Sequence, residues 1–147
     1  MGGIRRVQLE EVEGEVQGAV YRFTQGLECG VNRLLWGPDG CLYAGGTGSS
    51  GNWSWNGTRF GLQRLTPNGI TTFEIHSVHA LPDGFSIAFT KPVDRAWLGN
   101  PDHFSFRQWR YHATAQYGGP NREEQRLVAS EAIASDDGLS VHLKVPG

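Results

Sequence analysis

Sulfur is scarce in this 147-residue chain: two cysteines and one methionine. Cys29 and Cys41 do not form a Cys-x-x-Cys pair, and no Cys-x-x-Cys-His occurs, so the usual zinc-knuckle and covalent-haem signatures are missing. No apolar run approaches the ~20 residues that a membrane-spanning helix needs, and no membrane partner is expected. After Arg5-Arg6 there is no apolar core of the kind an export signal carries, so the chain as written is expected in the cytoplasm. In that setting the two cysteines read as buried or half-buried thiols rather than a bridge across their hairpin. Charge of one sign is also lacking. Thirteen Lys and Arg stand against fifteen Asp and Glu, and Arg5-Arg6 is the only adjacent basic pair. A nucleic-acid binder needs a basic face that releases counterions, and none is visible. A nucleophile elbow, a P-loop, a Rossmann glycine pattern and a zinc-protease helix are all missing. No NAD and no haem are therefore expected.

What is abundant is glycine, with 21 residues, and tryptophan, with five. Long helix-forming runs are missing, which favours an all-β protein with many turns. The clearest local signal is Asn32 to Ala44. An apolar stretch runs into Gly37-Pro38-Asp39-Gly40, and a second strand follows. Proline presets φ, aspartate bonds its own backbone and glycine accepts positive φ, so this is a hairpin turn. Arg6–Leu9 and Ala19–Phe23 read as strands, with Glu10 to Gly18 as an acidic loop between them and a short helix at 8–13 as the competitor. Gly45 to Gly57 reads as a loop. Phe60 to Thr66 reads as a strand, followed by a turn at Pro67-Asn68-Gly69 and then by Ile70 to Glu74.

The texture changes near Thr72. Glu74 to Leu81 is a strand candidate ended by Pro82-Asp83-Gly84. Phe85, Ile87 and Phe89 alternate with Ser86, Ala88 and Thr90, a period of two with one apolar face. Phe104 to Tyr111 shifts phase, which predicts a bulge near Gln108. Tyr117 to Gln125 reads as a polar loop and Leu127 to Ala134 as a strand. After Asp136-Asp137-Gly138 the last strand points Leu139, Val141, Leu143 and Val145 inward. The expected architecture is therefore a partial propeller-like antiparallel sheet over 1–71, then a small immunoglobulin- or fibronectin-like β-sandwich over 72–147.

Several motifs together carry a family resemblance. They are Gly30-Val31-Asn32-Arg33, Trp36-Gly37-Pro38-Asp39-Gly40, Gly51-Asn52-Trp53-Ser54-Trp55-Asn56-Gly57, Gly61-Leu62-Gln63-Arg64-Leu65, and Phe89-Thr90-Lys91-Pro92-Val93-Asp94. The chain resembles the propeller end, and the following small β domain, of large secreted bacterial quinoprotein- or haem-type dehydrogenases whose propeller is similar to that of soluble sugar dehydrogenases. Such propellers have about four to eight blades, and about one is present here. The resemblance therefore implies a fragment that begins inside a parent's propeller, without the parent's quinone, haem or dehydrogenase site. A blade stripped of its neighbours exposes apolar faces and strand edges. The expected partner is thus a second copy, in a homodimer formed by strand pairing or swapping near residues 1–70.

Two function classes follow. One is an accessory or ligand-binding module. Trp53 and Trp55 lie in a polar glycine-rich loop and could offer a sugar ring a platform, whereas Trp36 and Trp109 are expected in the core. The other is a small hydrolase of ester or phosphoester bonds, using histidine-bound zinc or another divalent metal to activate a water. Its first-choice ligands are His76, His79 and His142, set against a reading as unrelated surface histidines together with His103 and His112. Residues three apart on a regular strand face opposite ways, so His76 and His79 can share a metal only where the strand bulges or ends. Asp136-Asp137 and Glu123-Glu124 read as a turn and a solvated loop. Ser49, Ser50 and Ser54 have no histidine nearby in sequence. Asn56-Gly57-Thr58 matches a glycosylation acceptor that a cytoplasmic chain would not use.

Overall fold

The structure is a computed structural model in which residues 2–48, 55, 57–115 and 118–146 are described. Strand makes up 57% of it and helix 5%, which places the protein in the all-β class. The chain divides into two compact units, Met1–Ile70 and Thr71–Gly147.

The first unit contains a long hairpin and a three-stranded meander. Strands β1 (Gly3–Val12) and β2 (Glu15–Gln25) pair antiparallel along their whole length. The expected loop from Glu10 to Gly18 is thus replaced by a two-residue turn. Glu13 has φ 52° and Gly14 φ 84°, the paired positive values that a type I′ turn needs to match strand twist. The competing helix at 8–13 does not form. Its residues alternate instead, with Arg6, Gln8 and Glu10 on one face and Val7 and Leu9 on the other. Strands β3 (Val31–Trp36), β4 (Leu42–Thr47) and β5 (Phe60–Leu65) follow in the order β3-β4-β5. The Pro38-Asp39-Gly40 turn closes the first of these pairs. Gly40 sits at φ 72°, and the Cys41 N–H donates to Asp39 Oδ1 at 3.1 Å. Ile4, Leu27, Leu42 and Ala44 form a small core, with Val31 and Leu65 packed on it.

The thiols of Cys29 and Cys41 are both buried and unbridged. Cys29 Sγ lies so close to Gly46 that a β-carbon there would meet it at 2.5 Å. Cys41 stands at the other end of β4, about 16 Å of extended chain away, which is beyond the span of a disulfide.

Among the described residues the second unit holds six strands. A four-stranded antiparallel sheet runs β10-β11-β7-β6, built from β6 (Ile75–Leu81), β7 (Gly84–Phe89), β10 (Glu131–Ala134) and β11 (Ser140–Lys144). A separate hairpin pairs β8 (Ser105–Tyr111) with β9 (Asn121–Val128). Val141 and Leu143 are fully buried and centre a core with Leu98 and Ala129. Ile87, Phe89, Phe104 and Phe106 pack around them, and Phe85 stacks on Phe106 at 5.5 Å. Between β7 and β8 lies a single helical turn, α1 (Arg95–Leu98), that the sequence reading did not anticipate. Asp94 caps it by accepting from the Trp97 N–H, so that Leu98 is delivered into the core. A 3-10 turn, Pro101–His103, follows.

Three further expectations are corrected here. Asn121 to Gln125 is strand rather than polar loop, because its charged side chains project from a hairpin with an open outer face. Leu127 to Ala134 is broken at Ala129-Ser130, where β9 ends and β10 begins. Gly45 to Thr47, expected as the start of a loop, is the second half of β4. The bulge near Gln108 is present, with register slipping between Gln108 and Arg110 opposite Glu123, whose φ is 53°.

Candidate functional site

Strand alternation should leave each sheet one covered face, and in the first unit it does the opposite. On the β1–β2 hairpin the half-buried face is polar. Arg6 stacks over the Tyr21 ring at 4.1 Å, the Tyr21 hydroxyl donates to Gln8 at 2.8 Å, and Gln17 donates to Glu10 at 3.1 Å. The other face carries Val7, Leu9, Val16 and Val20, each 59–71% exposed. The meander shows the same imbalance. Leu34, Trp36, Leu42 and Ala44 share the face that meets Ile4, but Trp36 remains 66% exposed. The opposite face presents Leu35, Phe60 and Leu62, again largely in solvent. Trp36 is thus not a core residue as expected, because the core of this unit is too small to cover it. Trp109, also expected in the core, lies under the Arg107 guanidinium at 5.1 Å and is half exposed.

Beside Trp36 these side chains shape an apolar groove of about 330 Å³, lined by Ile4, Phe23, Leu34, Leu35, Trp36 and Leu42, with Arg5 and Arg6 at its rim. It follows β3, which is an edge strand of its sheet. Edge strands offer unpaired backbone groups to a further strand. Strong polar order lies at the turn that joins Trp36 to Leu42. Asp39 accepts from the Cys41 N–H and the Tyr43 hydroxyl and pairs with Arg64 at 3.1 Å. These contacts, led by the Cys41 N–H, hold its carboxyl below the usual carboxylate value. The same carboxylate raises the Tyr43 phenol. This is a braced turn.

The proposed ligands of the first function class fall in different places. Trp53 lies outside the described residues, as do Ser49, Ser50, Ser54, Asn56 and Tyr117. Trp55 is half-buried, bridges to Thr58 and sets its ring against Gly2.

The proposed metal ligands lie on the second unit. His79 pairs with Ser86, and Ser86 with His142, across three adjacent strands. His79 and His142 therefore share the outer sheet face, with their backbones about 10 Å apart. His142 faces away from buried Val141 and Leu143, and its Nε2 lies 2.9 Å from Asp83 Oδ1. His76 falls where β6 slips register between Ile75 and Ser77, at the irregularity that sharing a metal with His79 requires. Among the described residues no three His, Cys, Asp or Glu side chains converge closely enough to hold a metal ion. His103 instead stacks on Trp97 at 4.5 Å, with its Nδ1 2.9 Å from the Trp97 carbonyl.

Exposed apolar faces were expected over residues 1–70, but the residues that form them, Val7, Leu9, Val16 and Val20 on the hairpin among them, were not named. Their signal was present: Val7 and Leu9 alternate with Gln8 and Glu10, and the polar set can satisfy itself. No protein-family model matches the chain, and no curated protein and no solved structure does either.

Proposed function

We propose that the chain is a non-catalytic accessory or ligand-binding all-β module whose first unit does the binding, self-association included. The observation that carries this reading is the uncovered apolar surface of that unit, the groove along the β3 edge above all. Burial of apolar area is the main source of association free energy, and folded chains rarely leave such patches without a use. In this reading the first unit associates with a second copy, and the groove along the β3 edge takes an apolar or aromatic small molecule or a sugar ring.

Sedimentation of the full chain from about 1 μM to about 1 mM tests the association. The mass is expected to rise toward two copies. A single-copy mass throughout overturns the self-association.

A second reading is favoured by one specific arrangement, the His79–Ser86–His142 row with Asp83 against His142. It is a small metal-dependent hydrolase, with zinc held by His76, His79 and His142. Metal analysis of untagged protein tests it. Stoichiometric zinc, lost along with ester hydrolysis in His79→Ala and His142→Ala, supports this reading. Absence of both in the wild-type chain overturns it.

A further inference from the structure

We infer that the outward face of the β1–β2 hairpin is a two-fold self-association surface, in which two copies pack face to face with their strands antiparallel. This rests on the reading of the first unit as the associating one and names the surface and its geometry.

Four cross-strand pairs make up the face. They are Arg5 with Arg22, Val7 with Val20, Leu9 with Gly18, and Glu11 with Val16. Charge is therefore sorted along it, with two arginines at the base and an acid at the tip. Arg5 and Glu11 stand about 20 Å apart along the strand, with Val7, Leu9 and Val20 between them. Arg5, Arg22 and Glu11 are exposed and have no ion-pair partner among the described residues. The Arg6–Tyr21, Tyr21–Gln8 and Gln17–Glu10 contacts lie on its other face.

A symmetric face-to-face contact has two simple strand arrangements. With the hairpins pointing the same way, β1 of one copy lies over β2 of the other, and both Arg5–Arg22 contacts fall at the shared base end. Four guanidinium groups then crowd together, which opposes association. With the strands antiparallel, β1 lies over β1 and the midpoint falls at position 8. Arg5 then meets Glu11, and Val7 meets Leu9. Val20 meets Gly18, a position with no side chain. Gly18 cannot be filled within the chain, because a β-carbon there would come within 1.9 Å of the Gln8 carbonyl oxygen. The charge sorting and the vacant position both select the antiparallel pair.

The face is smaller than the about 800 Å² per partner of a standard interface, so the dimer is weak and depends on concentration. Its ion pairs are exposed and screened by salt.

Charge exchange tests the geometry in the full chain. R5E or E11R alone places like charges at both symmetric contacts and is expected to weaken the dimer about tenfold, read by sedimentation. R5E mixed with E11R restores every contact as an opposite pair, and the mixture is expected to recover wild-type association as a heterodimer. Leu9→Asp removes the apolar centre and is expected to weaken association by more than tenfold. Circular dichroism of each variant reads whether the hairpin folds. Dimers indifferent to R5E and E11R overturn this geometry while leaving self-association through another part of the first unit in place. A mixture that does not recover also overturns it. A single-copy mass for the wild-type chain at all concentrations overturns both readings.

Discussion

The two units spend the same alternating pattern in opposite ways. In the second, Val141 and Leu143 on β11 point into a core that α1 and the β8–β9 hairpin close, and the polar partners Ser140, His142 and Lys144 face outward. In the first, Gln8, Glu10 and Tyr21 occupy the half-covered face of the hairpin, and Val7, Leu9 and Val20 occupy the bare one. The second unit is organised as a domain that keeps its apolar surface, the first as one that offers it. The difference comes from the number of layers. A two-stranded ribbon has nothing beyond its own width to cover a face, whereas a four-stranded sheet has a helical turn and a hairpin to cover one of its own.

Substitutions can break this contrast. The largest effect is expected from Leu143→Ala, which removes a fully buried side chain and should cost about 2–5 kcal/mol. The matching truncation Leu9→Ala, at a residue 71% exposed, should cost less than about 0.5 kcal/mol. Urea unfolding compares the two, and hydrogen exchange of β11 against β1 reports which unit opens. Equal costs would mean that the hairpin face is covered within one chain.

Next in size is Gly138→Ala. Gly138 has φ 68°, and a β-carbon there would come within 2.4 Å of the Val93 carbonyl oxygen. Strain in such a conformation costs about 1–3 kcal/mol. The loss should appear as earlier urea unfolding of the second unit, with the exchange of β1 and β2 unchanged.

Smaller, and opposite in sign, is Glu13→Asn. Glu13 holds φ 52° in the β1–β2 turn, where asparagine before glycine is favoured. A gain of about 0.5–1 kcal/mol in the first unit is expected, read as slower exchange of β1 and β2.

The smallest effect is on acid stability, and there the units should behave alike. Asp39 in the first and Asp137 in the second both have carboxyls held below the usual carboxylate range, mainly by the N–H groups of Cys41 and Leu139. A lowered carboxylate contributes stability that is present above its unfolded-state value and is lost as pH falls through the folded one. Stability of the wild type should therefore fall below about pH 4. Asp39→Asn should flatten the fall in the first unit, and Asp137→Asn in the second. Both carboxyls are open to solvent, which keeps the effects small.

Much of this fold was legible where turn chemistry and alternation agree. Pro38-Asp39-Gly40, Pro82-Asp83-Gly84 and Asp136-Asp137-Gly138 each mark a chain reversal, and Val141 and Leu143 are buried as their spacing implies. Legibility fails where charge masks a strand. Glu10 to Gly18 looks like a solvated loop, because its strand character lies in register with Val7 and Leu9 rather than in its own composition. Asn121 to Val128 is hidden for the same reason, with Arg122, Glu123, Glu124 and Arg126 in a ribbon whose outer face needs no apolar residue. Helix α1 rests on Asp94 capping a single turn, a feature too short for periodicity to show. The candidate surface was the least legible part. Apolar alternation is ordinarily read as pointing inward, and only the mutual bonding of Arg6, Gln8, Glu10, Gln17 and Tyr21 reveals which way this ribbon faces.

The position of the two thiols gives the first unit a built-in gauge. Cys29 and Cys41 are the only cysteines in the sequence, and both are buried in that unit, near opposite ends of β4. A thiol reagent therefore reacts only as fast as one end or the other opens. The two reaction rates time the breathing of each end separately, with no label to introduce, and a ligand or second copy bound to this unit would slow the clock at the end it clamps.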